Sequence, residues 1–324
     1  MPHARLYARN AGLPAVLVLS LVWRCSHTAW RKPIEFSENE WVSPSGNAGT
    51  QIVTEHYDLR VTSQDALLRQ YLPLFMETAF EGYSSTIRPI RPNADRMIVY
   101  LFGTREEWAA FTKATYPAHA HTYLHLQAGG YTDQPSATAV THDLGRDRCL
   151  SLLAHEGFHQ YVARHLEGSL PAWLNEGLAC QWEAFKLVEG RPVFTPKQNY
   201  LRRNSLRAAL SGKDAFIPLS DLLGMHAGEA VVQTGQVVQS YYAQVWILIL
   251  FLEQGANGKY ARAFKQLLAD AGTDRLDAAM SAYRAATPTA AKLSNGEIIF
   301  RHYITDDLET CSAEYFQFAR QVVY

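Results

Sequence analysis

Apolar residues in this 324-residue chain are spaced in two different ways, and the change comes at Asp147. Before it, the runs are short and strand-like. Ile52 to Ser63 alternates, with Tyr57, Leu59 and Val61 facing one way, and Met97 to Phe102 is a continuous apolar run of strand length. Gly129-Gly130-Tyr131 and Ala137 to Thr141 read as two short strands around a turn. Two helices interrupt them. Ala66 to Tyr83 places Leu68, Leu72, Phe75, Met76 and Phe80 at helical spacing, with a kink expected at Pro73. The second, running to about Thr115, opens on a capping box in which Thr104 and Glu107 satisfy each other's backbone N–H.

After Asp147 the spacing is helical nearly to Tyr283, which predicts helices near 148–166, 171–188, 198–211, 238–254, 258–271 and 274–285. Gly168 and Gly190 follow the first two, and Pro171 opens the second. Strands first and helices afterwards imply an α+β fold: an N-terminal mixed β-sheet with helices, then a mostly helical C-terminal part. The folded domain is expected over 51–285, after a linker at 26–50 and before a tail of unassigned role at 286–324.

Residues 1–25 have their own character. Arg5 and Arg9 precede an apolar run from Ala11 to Trp23, closed by Arg24 and Cys25. About 20 apolar residues are needed to span a bilayer. The shorter run suits a signal peptide and an exported protein, or a short anchor if it is not removed. Membrane contact is expected there alone. Lys plus Arg number 30 against 31 Asp plus Glu, so no basic footprint for nucleic acid exists. The densest basic group, Arg202, Arg203 and Arg207, reads as a solvated helix face. The cysteines form no Cys-x-x-Cys pair, which argues against a cysteine metal site. Cys149 and Cys180, on neighbouring helices, are expected as buried free thiols rather than a disulfide.

One segment carries chemistry. Leu153-Ala154-His155-Glu156-Gly157-Phe158-His159-Gln160 places two histidines four apart inside a helical stretch. Residues so spaced share a face, and two imidazoles there can present nitrogens to one ion. Glu156, one position further round, falls beside such an ion, where a general base for water belongs. In the next helix, Leu170-Pro171-Ala172-Trp173-Leu174-Asn175-Glu176-Gly177-Leu178-Ala179 brings Glu176 back after a short turn. His155, His159 and Glu176 would then be three protein ligands to zinc, leaving a fourth position open as in catalytic sites.

These two segments resemble the gluzincin metallopeptidases. HEGFH with LPAWLNEGLA is similar to the peptidase MA-like proteins and, more distantly, to the aminopeptidase N-like enzymes and thermolysin. The resemblance implies a zincin-like fold over roughly residues 52–255, Zn2+ as cofactor, and a peptide or protein substrate. It departs from the family in the shorter gap from His159 to Glu176 and in lacking an exopeptidase GAMEN-like sequence. It also implies an oxyanion-donating tyrosine within Ser240-Tyr241-Tyr242-Ala243-Gln244-Val245-Trp246, which Tyr242 matches better than Tyr241, and a supporting role for Glu183 towards a histidine. Gly129 to Thr132 is a candidate edge strand for an extended peptide. His119, His121 and His125 are expected on a polar loop. The rival reading keeps the metal and discards catalysis: a zinc-binding module presenting its groove to a partner or the cell envelope.

Overall fold

The computed structural model describes residues 34–126, 129–212, 215–225 and 235–324. The N-terminal run at 1–25 lies outside them.

Alternation in the sequence builds the sheet. β3 (Tyr57–Val61) buries Tyr57, Leu59 and Val61 and turns Asp58 and Arg60 outward, while β4 (Met97–Phe102) buries Met97, Val99 and Leu101. With β1 (Ser37–Val42), β2 (Ala48–Val53), β5 (Gly130–Asp133) and β6 (Thr138–His142) they form one six-stranded sheet in the order β1-β2-β3-β4-β6-β5. β3, β4 and β6 are parallel neighbours, and the other pairs are antiparallel. The crossover between β3 and β4 is α1 (Ala66–Thr86), capped by Asp65 and continuous through Pro73. α2 (Arg105–Thr115) and the short α3 (Ala120–Leu124) lie between β4 and β5. Phe102, Trp108, Phe111, Tyr131 and Val140 form a small cluster of their own around α2, separate from the main core.

The helical part begins with α4 (Arg146–His165), which packs on α1. Gly157 marks that contact: a Cβ there would stand 2.9 Å from the Tyr83 hydroxyl, which donates to the Ala154 carbonyl. α5 (Ala172–Ala179) follows, then α6 (Tyr200–Ser211), α7 (Leu219–Gly224) and α8 (Gly235–Gln254). α8 is long and apolar enough to cross a membrane, but here it is a core helix with Trp246, Ile247, Leu248 and Phe251 fully buried. α9 (Ala261–Asp270), α10 (Arg275–Ala286), α11 (Asn295–Tyr303) and α12 (Leu308–Val323) complete it. The α+β order expected from periodicity is therefore present. Cys149 and Cys180 are buried free thiols.

Several boundaries differ from expectation. The 26–50 linker is wrong for its second half, because β1 and the start of β2 lie there and join the sheet. Most of β1 faces solvent, so it lacks the apolar alternation that betrays a half-buried strand. The strand expected over Ile52 to Ser63 is two strands, separated by a tight turn at Thr54-Glu55-His56. The helix expected over 171–188 ends at Ala179, and β7 (Phe185–Val188) and β8 (Arg191–Phe194) form a hairpin after it. Gly190 is not a helix cap: Glu189 and Gly190 both have positive φ, 52° and 77°, the turn that matches strand twist. The 286–324 tail is no appendage, since α11 and α12 bury Ile299, Phe300, Cys311 and Tyr315 in the common core.

Candidate metal centre

α4 presents His155 and His159 one turn apart, and their Nε2 atoms stand 3.2 Å from each other. The turn after His165 is short enough to bring α5 back across that face. Glu176, in the second turn of α5, places Oε2 3.4 Å from His155 Nε2 and 3.4 Å from His159 Nε2. α5 comes this close to α8 because Gly177 has no side chain; a Cβ there would stand 2.8 Å from the Val245 carbonyl oxygen. The shorter gap between His159 and Glu176 thus does not keep the three residues apart.

What surrounds the imidazoles fixes which nitrogen points inward. His159 Nδ1 is 3.2 Å from Asn175 Oδ1, and His155 Nδ1 is 2.9 Å from Glu183 Oε1. An acceptor beside each Nδ1 favours the tautomer with the proton there and the Nε2 lone pair turned to the centre, with the His155–Glu183 contact an ion pair rather than an aligned hydrogen bond. Glu176 Oε2 is buried and has no hydrogen-bond donor among the described residues. Three potential ligand atoms thus converge on one point. Ligand atoms about 2.0–2.1 Å from a tetrahedral ion lie about 3.3–3.4 Å from one another. The observed triangle of 3.2, 3.4 and 3.4 Å fits zinc on that measure.

Electrostatics agree with the need for a cation. Burial pushes the Glu176 carboxyl up, but His159 and His155 outweigh it and hold it well below the usual carboxylate range. Burial pushes His155 down, yet contacts with Cys180, Glu176 and Glu183 raise it well above its ordinary value. His159 is raised too, burial again being outweighed, chiefly by Glu176. Without a metal, protons are the substitute the site draws in.

Glu156 lies off the triangle. Its Oε2 accepts from Thr132 Oγ1 at 2.7 Å, and the same hydroxyl lies 3.0 Å from the Glu156 carbonyl oxygen. Thr132 belongs to β5, the last strand of the sheet, so the sheet's edge and the metal helix meet at this carboxylate. His155, Glu156, His159 and Glu176 are all buried, each with 6–8% exposure. Tyr242, on α8, sets its ring 6.1 Å from that of His155. Burial, and after it Glu176, push its phenol well above the ordinary range, so it is a donor at neutral pH. Tyr241 is fully buried, its hydroxyl without a partner among the described residues.

Other expectations need correction. Arg202 is not on a solvated face: its side chain is 11% exposed and grips Glu183. The reach back from Glu107 is not made, because its carboxylate is buried and accepts from Thr62 Oγ1 at 2.7 Å instead. His119 and His125 flank the short α3 and His121 lies within it, and no group of potential ligands contains them among the described residues. A second such group, His155, Cys180 and Glu183, already has its cation in Arg202. A cavity of about 950 Å³ lies beside the site rather than on it, reaching it at Glu183 and lined by Tyr71, Leu187 and Leu201. Asn175 and Thr132 were missed from sequence. Asn175 had a signal, being adjacent to Glu176. Thr132 reaches Glu156 only through the sheet.

No protein-family model matches the chain, and no curated protein matches its sequence.

Proposed function

We propose that this chain is a zinc-dependent peptidase of zincin-like fold, exported by its N-terminal segment, with His155, His159 and Glu176 as metal ligands. The observation that supports it best is the convergence of two Nε2 atoms and an undonated carboxylate oxygen on one point, with a second carboxylate beside it. A structural metal has no use for that second carboxylate.

Zinc, when bound, lowers the pKa of a water molecule and polarises a carbonyl. The residues do the rest. Glu156 is aimed by Thr132 and accepts the proton from water, then returns it to the leaving amine. Tyr242 donates its phenolic hydrogen to the oxygen that gains charge as the carbonyl is attacked. β5, at the sheet edge and joined to Glu156 through Thr132, is the strand along which an extended peptide would lie.

Purified protein should carry about one zinc per chain by elemental analysis. Glu156→Gln should keep that zinc and lose hydrolysis by about 10²–10⁴-fold on a peptide that the wild type cleaves. Tyr242→Phe should keep it too and slow turnover by about 10²-fold. A wild type that binds zinc yet cleaves nothing in a peptide library would transfer the site to the rival reading of a binding module.

A further inference from the structure

Arg202 breaks two local rules at once. It lies in the first turn of α6, three residues after the capping residue Asn199, where the helix dipole disfavours a cation. It is also nearly buried, which a guanidinium tolerates only when paired. Both rules yield to the same partner. Its Nη2 donates to Glu183 Oε1 at 2.5 Å and its Nε to Glu183 Oε2 at 2.8 Å, a two-pronged grip on one carboxylate. Asn199 Nδ2 donates to the same Oε2 at 2.7 Å. With both oxygens so held, the plane of the Glu183 carboxylate is fixed, and Oε1 is turned to His155 Nδ1 at 2.9 Å. The guanidinium carbon also stands 4.9 Å from the centre of the Tyr242 ring, within cation–π range.

We propose that Arg202 is the positioning residue of the metal centre: through Glu183 it sets the ring orientation of His155, and through its flat face it seats Tyr242. The inference rests on the metal reading above. No hydrogen bond or ion pair joins Arg202 to the ligand triangle or to Glu156, so it acts chiefly through those two neighbours. A lysine cannot replace it, since a point charge on a flexible stem lacks the fork and the face.

Zinc affinity of the full chain, measured by competition with a chromogenic chelator, tests this without reference to activity. Arg202→Met and Glu183→Gln should each weaken zinc binding by about 10–100-fold, the range for lost partners of ligating histidines. The double variant should be little worse than either single one, because Arg202 acts on His155 only through Glu183. Arg202→Lys should recover only part of the loss. Near-UV circular dichroism of the metal-free proteins checks that each variant is folded, and Arg202→Lys takes the place of Arg202→Met in the cycle if the latter is not. A merely structural role would give losses that add in full, and wild-type affinity in Arg202→Met would overturn the proposal outright. A wild type that binds no zinc would instead remove the metal reading and this inference with it.

Discussion

His155, Glu156 and His159 are legible from sequence because one helix makes all their geometry: a spacing of four places two rings on one face, and the next residue falls beside them. Glu176 is legible for a related reason, since a six-residue gap between α4 and α5 leaves the chain little choice but to double back. Apart from Asn175 and Glu183, the residues that aim these four come from elsewhere and leave no local mark. Thr132 arrives from β5, Asn199 and Arg202 from α6. Arg202 is not legible, because three arginines within six residues of one helix usually face water, and nothing nearby announces a buried carboxylate. Thr132 offers a sharp test. Thr132→Val keeps the shape and the β-branch but removes the donor to Glu156. A hydrogen bond to a charged group is worth about 1.5–3 kcal/mol, which corresponds to about 10–100-fold if all of it serves catalysis. Turnover should fall by that factor while zinc content is unchanged; equal turnover would mean that Glu156 is aimed by the helix alone.

Among the elements, α1 was the easiest to foresee and has the least obvious anchor. Its apolar stripe fixes which face meets the sheet, but Glu77 fixes its register. Glu77 is buried and accepts from Thr54 Oγ1 at 2.5 Å and from the His56 backbone N–H at 2.9 Å, with His56 Nδ1 2.7 Å from its other oxygen. These contacts tie α1 to the turn between β2 and β3. Burial raises the carboxyl's pKa, but the bonds from His56 and Thr54 outweigh it, and the net shift is downward. A depressed folded value gives stability that is present above the unfolded pKa of about 4.3 and is lost as pH falls through the folded one. Glu77→Gln should therefore cost about 1–3 kcal/mol at pH 7. The difference from wild type should shrink below about pH 4, and urea unfolding midpoints at pH 7 and pH 3 measure it. A cost independent of pH would assign the loss to packing. The β7–β8 hairpin was hidden for the opposite reason. Phe185, Leu187 and Val188 continue the apolar content of α5, and only the Glu189-Gly190 turn separates a strand reading from a helical one.

At the scale of the molecule, the tail shows where periodicity fails as a guide to domain limits. Residues after Ala286 form one 3₁₀ turn and then α11 and α12, with breaks between them, so no single period covers them, yet they join the common core. α12 packs against α6 and α8, the helices that carry Arg202 and Tyr242. Tyr315 is the contact that matters most: it is fully buried, touches Phe216 and Phe251, and donates to the Gln244 carbonyl at 2.9 Å. Gln244 in turn holds Ile217, its amide oxygen accepting from the Ile217 N–H and its amide nitrogen donating to the Ile217 carbonyl, and stands two residues after Tyr242 on α8. Removing a buried aromatic ring typically costs about 3–5 kcal/mol, a large share of a stability of about 5–15 kcal/mol. Tyr315→Ala should lower the urea midpoint accordingly. The unfolding transition should remain single, because one core spans α4 to α12. Zinc should be released within that same transition, since a ligand bound only to the folded state leaves with it. Were the tail an independent appendage, Tyr315→Ala would leave the midpoint of zinc release where it is in the wild type. A two-step unfolding curve, with the metal retained through the first step, would locate the boundary between two domains at the start of the tail.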